Sequence, residues 1–263
     1  MNTVEAPART APLDYLLHLA DNALVLGQRN AEWCGNGPVL EEDIALANMS
    51  LDLIGQARML YQHAAVVAGD GATEDSLAYF RGPDTFRNYT LLELPHASDA
   101  SSRDYAVTIV RNFLYSALML PLWEALQKSK DAQLAAIAGK SFKEVRYHFR
   151  HSRDWLVRLG DGTAESHARV QAALKHLLPY TAEFWAQAAI EKIAASENFA
   201  MDSATLQGRW DDLVNEALQE AGLQRPAPGS NLPQGKNGQH SDHLAPLLAE
   251  MQSLARAHPD ARW

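Results

Sequence analysis

Four long stretches of this chain carry apolar residues at helical spacing, and no stretch alternates in the two-residue period of a half-buried strand. That pattern leaves little room for anything but an all-α fold. The clearest stretch, EEDIALANMSLDLIGQARMLYQHAAVVAG, starts at Glu41 with acids in its first turn, where the helix dipole favours them, and ends at Gly69. A first helix is expected from Leu13 to near Trp33, stopped by CGNGP, a third from about Ser102 to Lys128, and a fourth from about Asp131 to Gly160. These four can form an antiparallel four-helix bundle over about residues 13 to 160.

The remaining segments are expected to decorate that bundle. Residues 1 to 12 hold prolines and small residues without a hydrophobic period, which predicts a flexible N-terminal extension. Residues 70 to 102 are too long for a tight turn and predict a crossover with one short helix. Extra helices are expected over 164–178, 179–195 and 203–222, then a Pro/Gly-rich arm over 224–240 and a last helix over 242–257. The expected organisation is one helical domain from residue 13 to 263. Its arm either reaches for a partner or merely connects.

Composition removes several function classes. Of 263 residues, 47% are hydrophobic, enough for a sizeable core, and the net charge of −9 speaks against a nucleic-acid partner. With one cysteine, Cys34, there is neither an internal disulfide nor a Cys-rich metal site, and the residue is expected to pack beside Trp33. The longest apolar run, FLYSALMLPLW from Phe113 to Trp123, is short of the roughly 20 residues of a membrane span. No Gly-rich phosphate loop or GxSxG elbow is present. A cytoplasmic protein is expected.

The segment KEVRYHFRHS, residues 143 to 152, comes nearest to chemistry. Carboxylate-bridged metal sites in bundles draw a Glu-x-x-His motif from each of two helices and a glutamate from each of two others. Here His148 is preceded at that distance by Val145, while Glu144 stands four residues before it. The second helix echoes the pattern with Asp52, Leu53, Gln56 and Arg58, so its glutamate and histidine positions hold Leu53 and Gln56. The third helix has Ser116 at its middle and no acid between Tyr105 and Trp123; the first offers Asp21, Gln28 and Glu32. The expectation is a hydrogen-bonded polar cluster of Asp52, Gln56, Glu144 and His148, with Lys140 neutralising Glu144 along one helical stripe. The pairs His148/His151 and His240/His243 each lack a third ligand, and Lys236 is expected to be a mobile linker lysine.

Four stretches together carry a resemblance: DNALVLGQRNAEWCG at 21–35, EEDIALANMSLDLIGQAR at 41–58, KSFKEVRYHFRHSRDWLVRLGDGT at 140–163 and HLAPLLAEMQ at 243–252. In this order they make the chain resemble the C subunits of the bacterial phenylacetyl-CoA epoxidases, multicomponent oxygenases of aerobic phenylacetate catabolism. The resemblance implies a ferritin-like bundle serving as a non-catalytic structural subunit, stably paired with a homologous subunit that carries the di-iron centre and binds the acyl-CoA. It implies no catalytic residue, metal or cofactor in this chain, and a degenerate former site at Asp52, Leu53, Gln56, Ser116, Glu144, Val145 and His148. A reductase with flavin and an iron-sulfur cluster, fed by NADPH, and small accessory subunits are further implied partners. Two other readings compete: an oxygenase or oxidase binding metal through Asp52, Glu144 and His148, and an adaptor for the reductase or the acyl-CoA.

Overall fold

Helix α1 (Leu13–Ala31) begins where Pro12, lacking an N–H of its own, offers its carbonyl to Tyr15 and Leu16. Nearly all its residues from Tyr15 to Asn30 are buried, so α1 is wrapped on most sides by the rest of the chain. The structure, a computed structural model, describes residues 10–97, 103–227 and 233–261. The expected extension over residues 1–12 therefore lies mostly outside the described residues.

Helix α2 (Leu40–Ala68) has Glu41, Glu42 and Asp43 in its first turn and stops at Gly69, whose φ of 68° only glycine adopts readily. The crossover differs from expectation. Instead of one short helix it holds α3 (Glu74–Tyr79), a 3-10 turn at Pro83–Thr85 and α4 (Thr90–Glu93). Thr73 and Ser76 cap α3 reciprocally, and Pro83 sets the 3-10 turn, both local signals too short for a periodicity to register.

Helix α5 (Tyr105–Leu126) is capped by the Asp104 carboxylate on Ala106 N–H, and α6 (Ala132–Gly160) by Asp131 on Gln133 and Leu134 N–H. By length and composition α5 could cross a membrane, yet its apolar window is almost wholly buried inside the bundle. Its hydrophobicity is that of a central core helix.

Then follow α7 (Ala164–Leu177), a 3-10 turn at Leu178–Thr181, α8 (Ala182–Trp185), α9 (Ala189–Ser196), α10 (Gln207–Glu220) and α11 (Leu244–Ala257). The single helix expected over 179–195 is thus three short pieces. Pro179 favours the turn, the chain leaves helical conformation at Ala186 (ψ 101°), and the Glu191 carboxylate restarts α9 by accepting from Ala188 N–H at 2.9 Å. The helix expected over 203–222 opens with a 3-10 turn at Ser203–Leu206 before α10.

Helices α1 and α2 pack as one pair and α5 and α6 as another, and α2 lies on α6 to close the bundle. Helix α7 covers α5 and α6, α10 covers both more lightly, and α11 rests on α3. The fold is all-α, a ferritin-like four-helix bundle with added C-terminal helices. Its core joins Leu16, Leu19, Leu60, Phe113, Leu118, Trp123, Leu134 and Leu174 in one hydrophobic cluster. Cys34 is not packed there but exposed, because it lies in the turn after α1 has ended.

Candidate functional site

The four polar residues expected to cluster sit where α2 faces α6, and they pair between the helices. His148 Nε2 donates to Asp52 Oδ2 at 3.0 Å, and Gln56 Nε2 donates to Glu144 Oε2 at 2.9 Å. Because the helices run in opposite directions, Asp52 meets His148 while Gln56, one turn later, meets Glu144, one turn earlier. Lys140 Nζ lies 3.8 Å from Glu144 Oε1, with its side chain 60% exposed. So exposed a pair is worth about 0.5 kcal/mol at most, and Gln56 is the closer partner of Glu144. The stripe Lys140–Glu144–His148 therefore holds in its first half only. His148 turns to Asp52 on the other helix.

Inside this polar layer the bundle is closed by apolar and hydroxyl groups. Leu53 and Val145 are buried, as are Gln56 and His148. Ser116 Oγ donates to Phe113 O at 3.2 Å and lies 3.3 Å from Ser152 Oγ, which itself donates to His148 O at 2.7 Å. From α1, Gly27 O accepts from Ser50 Oγ at 2.6 Å, and a Cβ on Gly27 would come within 3.2 Å of Ile54. Helices α1 and α2 thus pack closely there, and a side chain at position 27 would require Ile54 to shift. The first helix sends its acids elsewhere: Asp21 to Tyr61 and Arg81, and Glu32 to Arg29 at 2.8 Å and His96 at 3.4 Å. Burial alone would push Glu32 up, but the His96 hydrogen bond and the Arg29 charge hold it below the usual carboxylate value. Gln28 is half-buried.

The histidine pairs separate in the same way. His148 goes to Asp52, and His151 goes to Glu42 at 2.8 Å, which also accepts from Tyr105 Oη at 2.6 Å. Among the described residues no group of three or more His, Cys, Asp or Glu side chains is placed to hold a metal ion. His243 is exposed, whereas His240 donates from Nδ1 to Glu93 Oε2 at 3.0 Å.

His240 belongs to the arm, whose described residues are 224 to 227 and 233 to 240; the second of these stretches lies against its own chain. Lys236, expected to be mobile, is buried: its Nζ is 2.6 Å from Glu191 Oε2 and its backbone N–H donates to Glu183 at 2.9 Å. Sequence reasoning missed this contact because nothing periodic links residues 183, 191 and 236. Burial opposes protonation of His240, but the hydrogen bond and charge of Glu93 outweigh it and raise its value above the ordinary one. Its contribution to stability is therefore complete below the unfolded value and lost as pH rises through the raised folded value. Accordingly, His240→Gln should destabilise the protein more at about pH 6 than at about pH 9, measured as the shift in urea midpoint against wild type. Equal shifts at both values would refute the assignment.

The whole chain, residues 1–263, matches the family model described as phenylacetic acid catabolic protein. It is 44% identical over 249 residues to the C subunit of the 1,2-phenylacetyl-CoA epoxidase of Escherichia coli (strain K12), covering 95% of this chain and 98% of that relative. With a core that keeps the ferritin-like bundle and pairs Asp52, Gln56, Glu144 and His148 across α2 and α6, the chain belongs to the phenylacetic acid catabolic protein family.

Proposed function

We propose that this chain is the non-catalytic structural subunit of a phenylacetyl-CoA epoxidase, pairing with and stabilising a homologous di-iron catalytic subunit. One observation carries the reading. At the centre of the bundle the positions that would supply bridging carboxylates are Leu53 and Val145, both buried, and Ser116 stands on α5 with its hydroxyl already bonded. A pair of iron ions in a low-dielectric core needs about four carboxylates and two histidines to balance its charge. The residues here do not fit that group. Gln56 cannot carry charge, and His148 is occupied by an outward-lying Asp52 whose side chain is 38% exposed. Asp52, Gln56, Glu144 and His148 act instead as two hydrogen-bonded straps that fix the register of α2 on α6.

On this reading the redox chemistry belongs to other components: iron in the catalytic partner, flavin and an iron-sulfur cluster in the reductase. The chain's own work is mechanical. A bundle whose interior is filled by side chains rather than by ions is rigid without metal, and can hold a partner whose own bundle is loosened by its open metal site. The test is the metal content of the purified chain before and after anaerobic loading with ferrous iron. Substoichiometric iron and manganese, with unchanged activity of the assembled epoxidase in Asp52→Asn and His148→Gln chains, is the expected result. A full equivalent of metal per chain that is lost in His148→Ala would overturn it.

A further inference from the structure

Two buried guanidinium groups lie side by side where α1 meets α5. The helices are fastened at this level by a reciprocal amide pair, Asn30 with Asn112 at 2.9 Å in each direction, and Arg29 and Arg111 stand directly before these asparagines. Both arginines reach the same stretch of the crossover: Arg29 Nη2 donates to Glu93 O at 2.6 Å, and Arg111 Nη2 donates to Pro95 O at 2.5 Å. Carbonyls two residues apart in the chain thus hold the two cations as neighbours.

Arg29 has a counter-charge, and Arg111 has none among the described residues. Glu32, the acid nearby, is already committed, with Oε1 2.8 Å from Arg29 and Oε2 3.4 Å from His96. Arg111 is 0% exposed, and beyond Pro95 O its guanidinium finds no acceptor, so that Nε and Nη1 are both unpartnered. Two more unpartnered buried nitrogens belong to this neighbourhood: Arg29 Nε, and His176 Nε2 on α7, close enough for the Arg111 charge to act on it. Native interiors leave few such atoms, and a bound water or ion is the usual partner. Water can satisfy the N–H groups, but it cannot supply the missing charge. That charge can be counted. Burial, and after it the Arg29 charge, brings Arg111 down to about 9, which leaves it protonated at neutral pH. Burial also lowers His96 and His176, and the Arg111 charge adds to the effect on both, so the two imidazoles are neutral, while Glu32 is held ionised. Two guanidiniums and one carboxylate leave a single positive charge.

We propose that Arg111 holds one small monovalent anion, of the size and charge of chloride, in the interior between α1, α5 and α7, with Arg29 and His176 as the neighbouring donors. The anion accepts from the N–H groups that Nε and Nη1 of Arg111 leave over, and it cancels the one uncompensated charge. A doubly charged anion would overshoot, and a bulky one does not fit beside a side chain with no exposed surface. Its role is structural: it lets two cations pack together and tie the crossover at Glu93 and Pro95 to both helices. The inference does not rest on the function proposed above.

The test is thermal melting of the full chain in sodium chloride and in sodium gluconate at one ionic strength, gluconate being too large for the site. The melting temperature should rise with chloride, level off as the site fills, and stand several degrees above its value in gluconate. Arg111→Met keeps the volume and removes the charge, so its melting should be the same in both salts. Should that variant fail to fold, crystals of the wild-type chain grown in bromide give a second readout, an anomalous peak in contact with Arg111 Nε and Nη1. Equal melting of the wild-type chain in the two salts, or bromide bound only elsewhere, would overturn the proposal. So would a chloride effect that persists undiminished in Arg111→Met. A chloride effect that appears only in Asp99→Asn would also overturn it, assigning the counter-charge to that carboxylate, which lies outside the described residues.

Discussion

Replacing Asp21 with alanine is expected to remove about 3–5 kcal/mol of folding stability, the loss typical of breaking a buried ion pair on one side only. Asp21 is fully buried, and both its oxygens are used. Oδ1 accepts from Tyr61 Oη at 2.5 Å, Oδ2 accepts from Arg87 N–H at 2.8 Å, and the Arg81 guanidinium grips both. Arg81 is itself only 13% exposed and lies 4.4 Å above the Phe86 ring. Burial works against its charge, but the Asp21 carboxylate beside it outweighs this and raises its value further. Without Asp21 the mostly buried cation keeps only the Leu77 and Thr85 carbonyls and the Tyr61 hydroxyl as hydrogen-bond partners, and Arg87 N–H loses its acceptor. For a chain of this size the loss should appear as a fall in melting temperature on the order of 10 °C. The double variant Asp21→Ala with Arg81→Met should be more stable than Asp21→Ala alone, because the unpaired charge has gone too. A single-variant loss below about 1 kcal/mol would mean that water reaches Arg81 and that the crossover is not anchored here.

That contact shows where sequence reasoning runs out. The long helices were legible because their ends are set locally: Asp104 and Asp131 cap the helices they precede, and Gly69 takes a positive φ just past α2. The broken stretch after Pro179 was not legible. It turns where Phe184 and Trp185 dock on Trp210, a residue of another helix, and the Glu191 carboxylate then caps the helix it belongs to. At the candidate site the members were visible and the pairing was not. Spacing along one helix suggested Glu144 with His148, whereas two antiparallel helices place Asp52 opposite His148 and Gln56 opposite Glu144. Asp21 with Arg81, 60 residues apart, and Glu191 with Lys236, 45 apart, follow no period at all. Their partners are chosen by the crossover and the arm, whose paths only the finished bundle defines.

Lys236→Met should free the arm. The ammonium lies 2.6 Å from Glu191 Oε2 and 5.7 Å above the Tyr89 ring, with 2% of the side chain exposed. Beside it Glu183, its carboxyl raised by burial, accepts from Lys236 N–H and Thr90 N–H. Methionine fills the volume but leaves the Glu191 carboxylate buried without a cation, again a loss of about 3–5 kcal/mol unless the acid takes up a proton or the arm lifts away. Besides the ion pair, the described part of the arm is held by Lys236 N–H on Glu183, His240 on Glu93 and Phe86 O, and Gly235 N–H on Thr90. Cleavage between residues 224 and 240 by a broad-specificity protease should therefore speed up severalfold in Lys236→Met, while the bundle still melts cooperatively. Adding Glu191→Gln removes the orphaned charge and keeps the acceptor for Ala188 N–H, so the double variant should recover most of the loss. Were the double variant no more stable than Lys236→Met, the harm would lie in lost packing around Tyr89, and the ion pair would not be what fastens the arm.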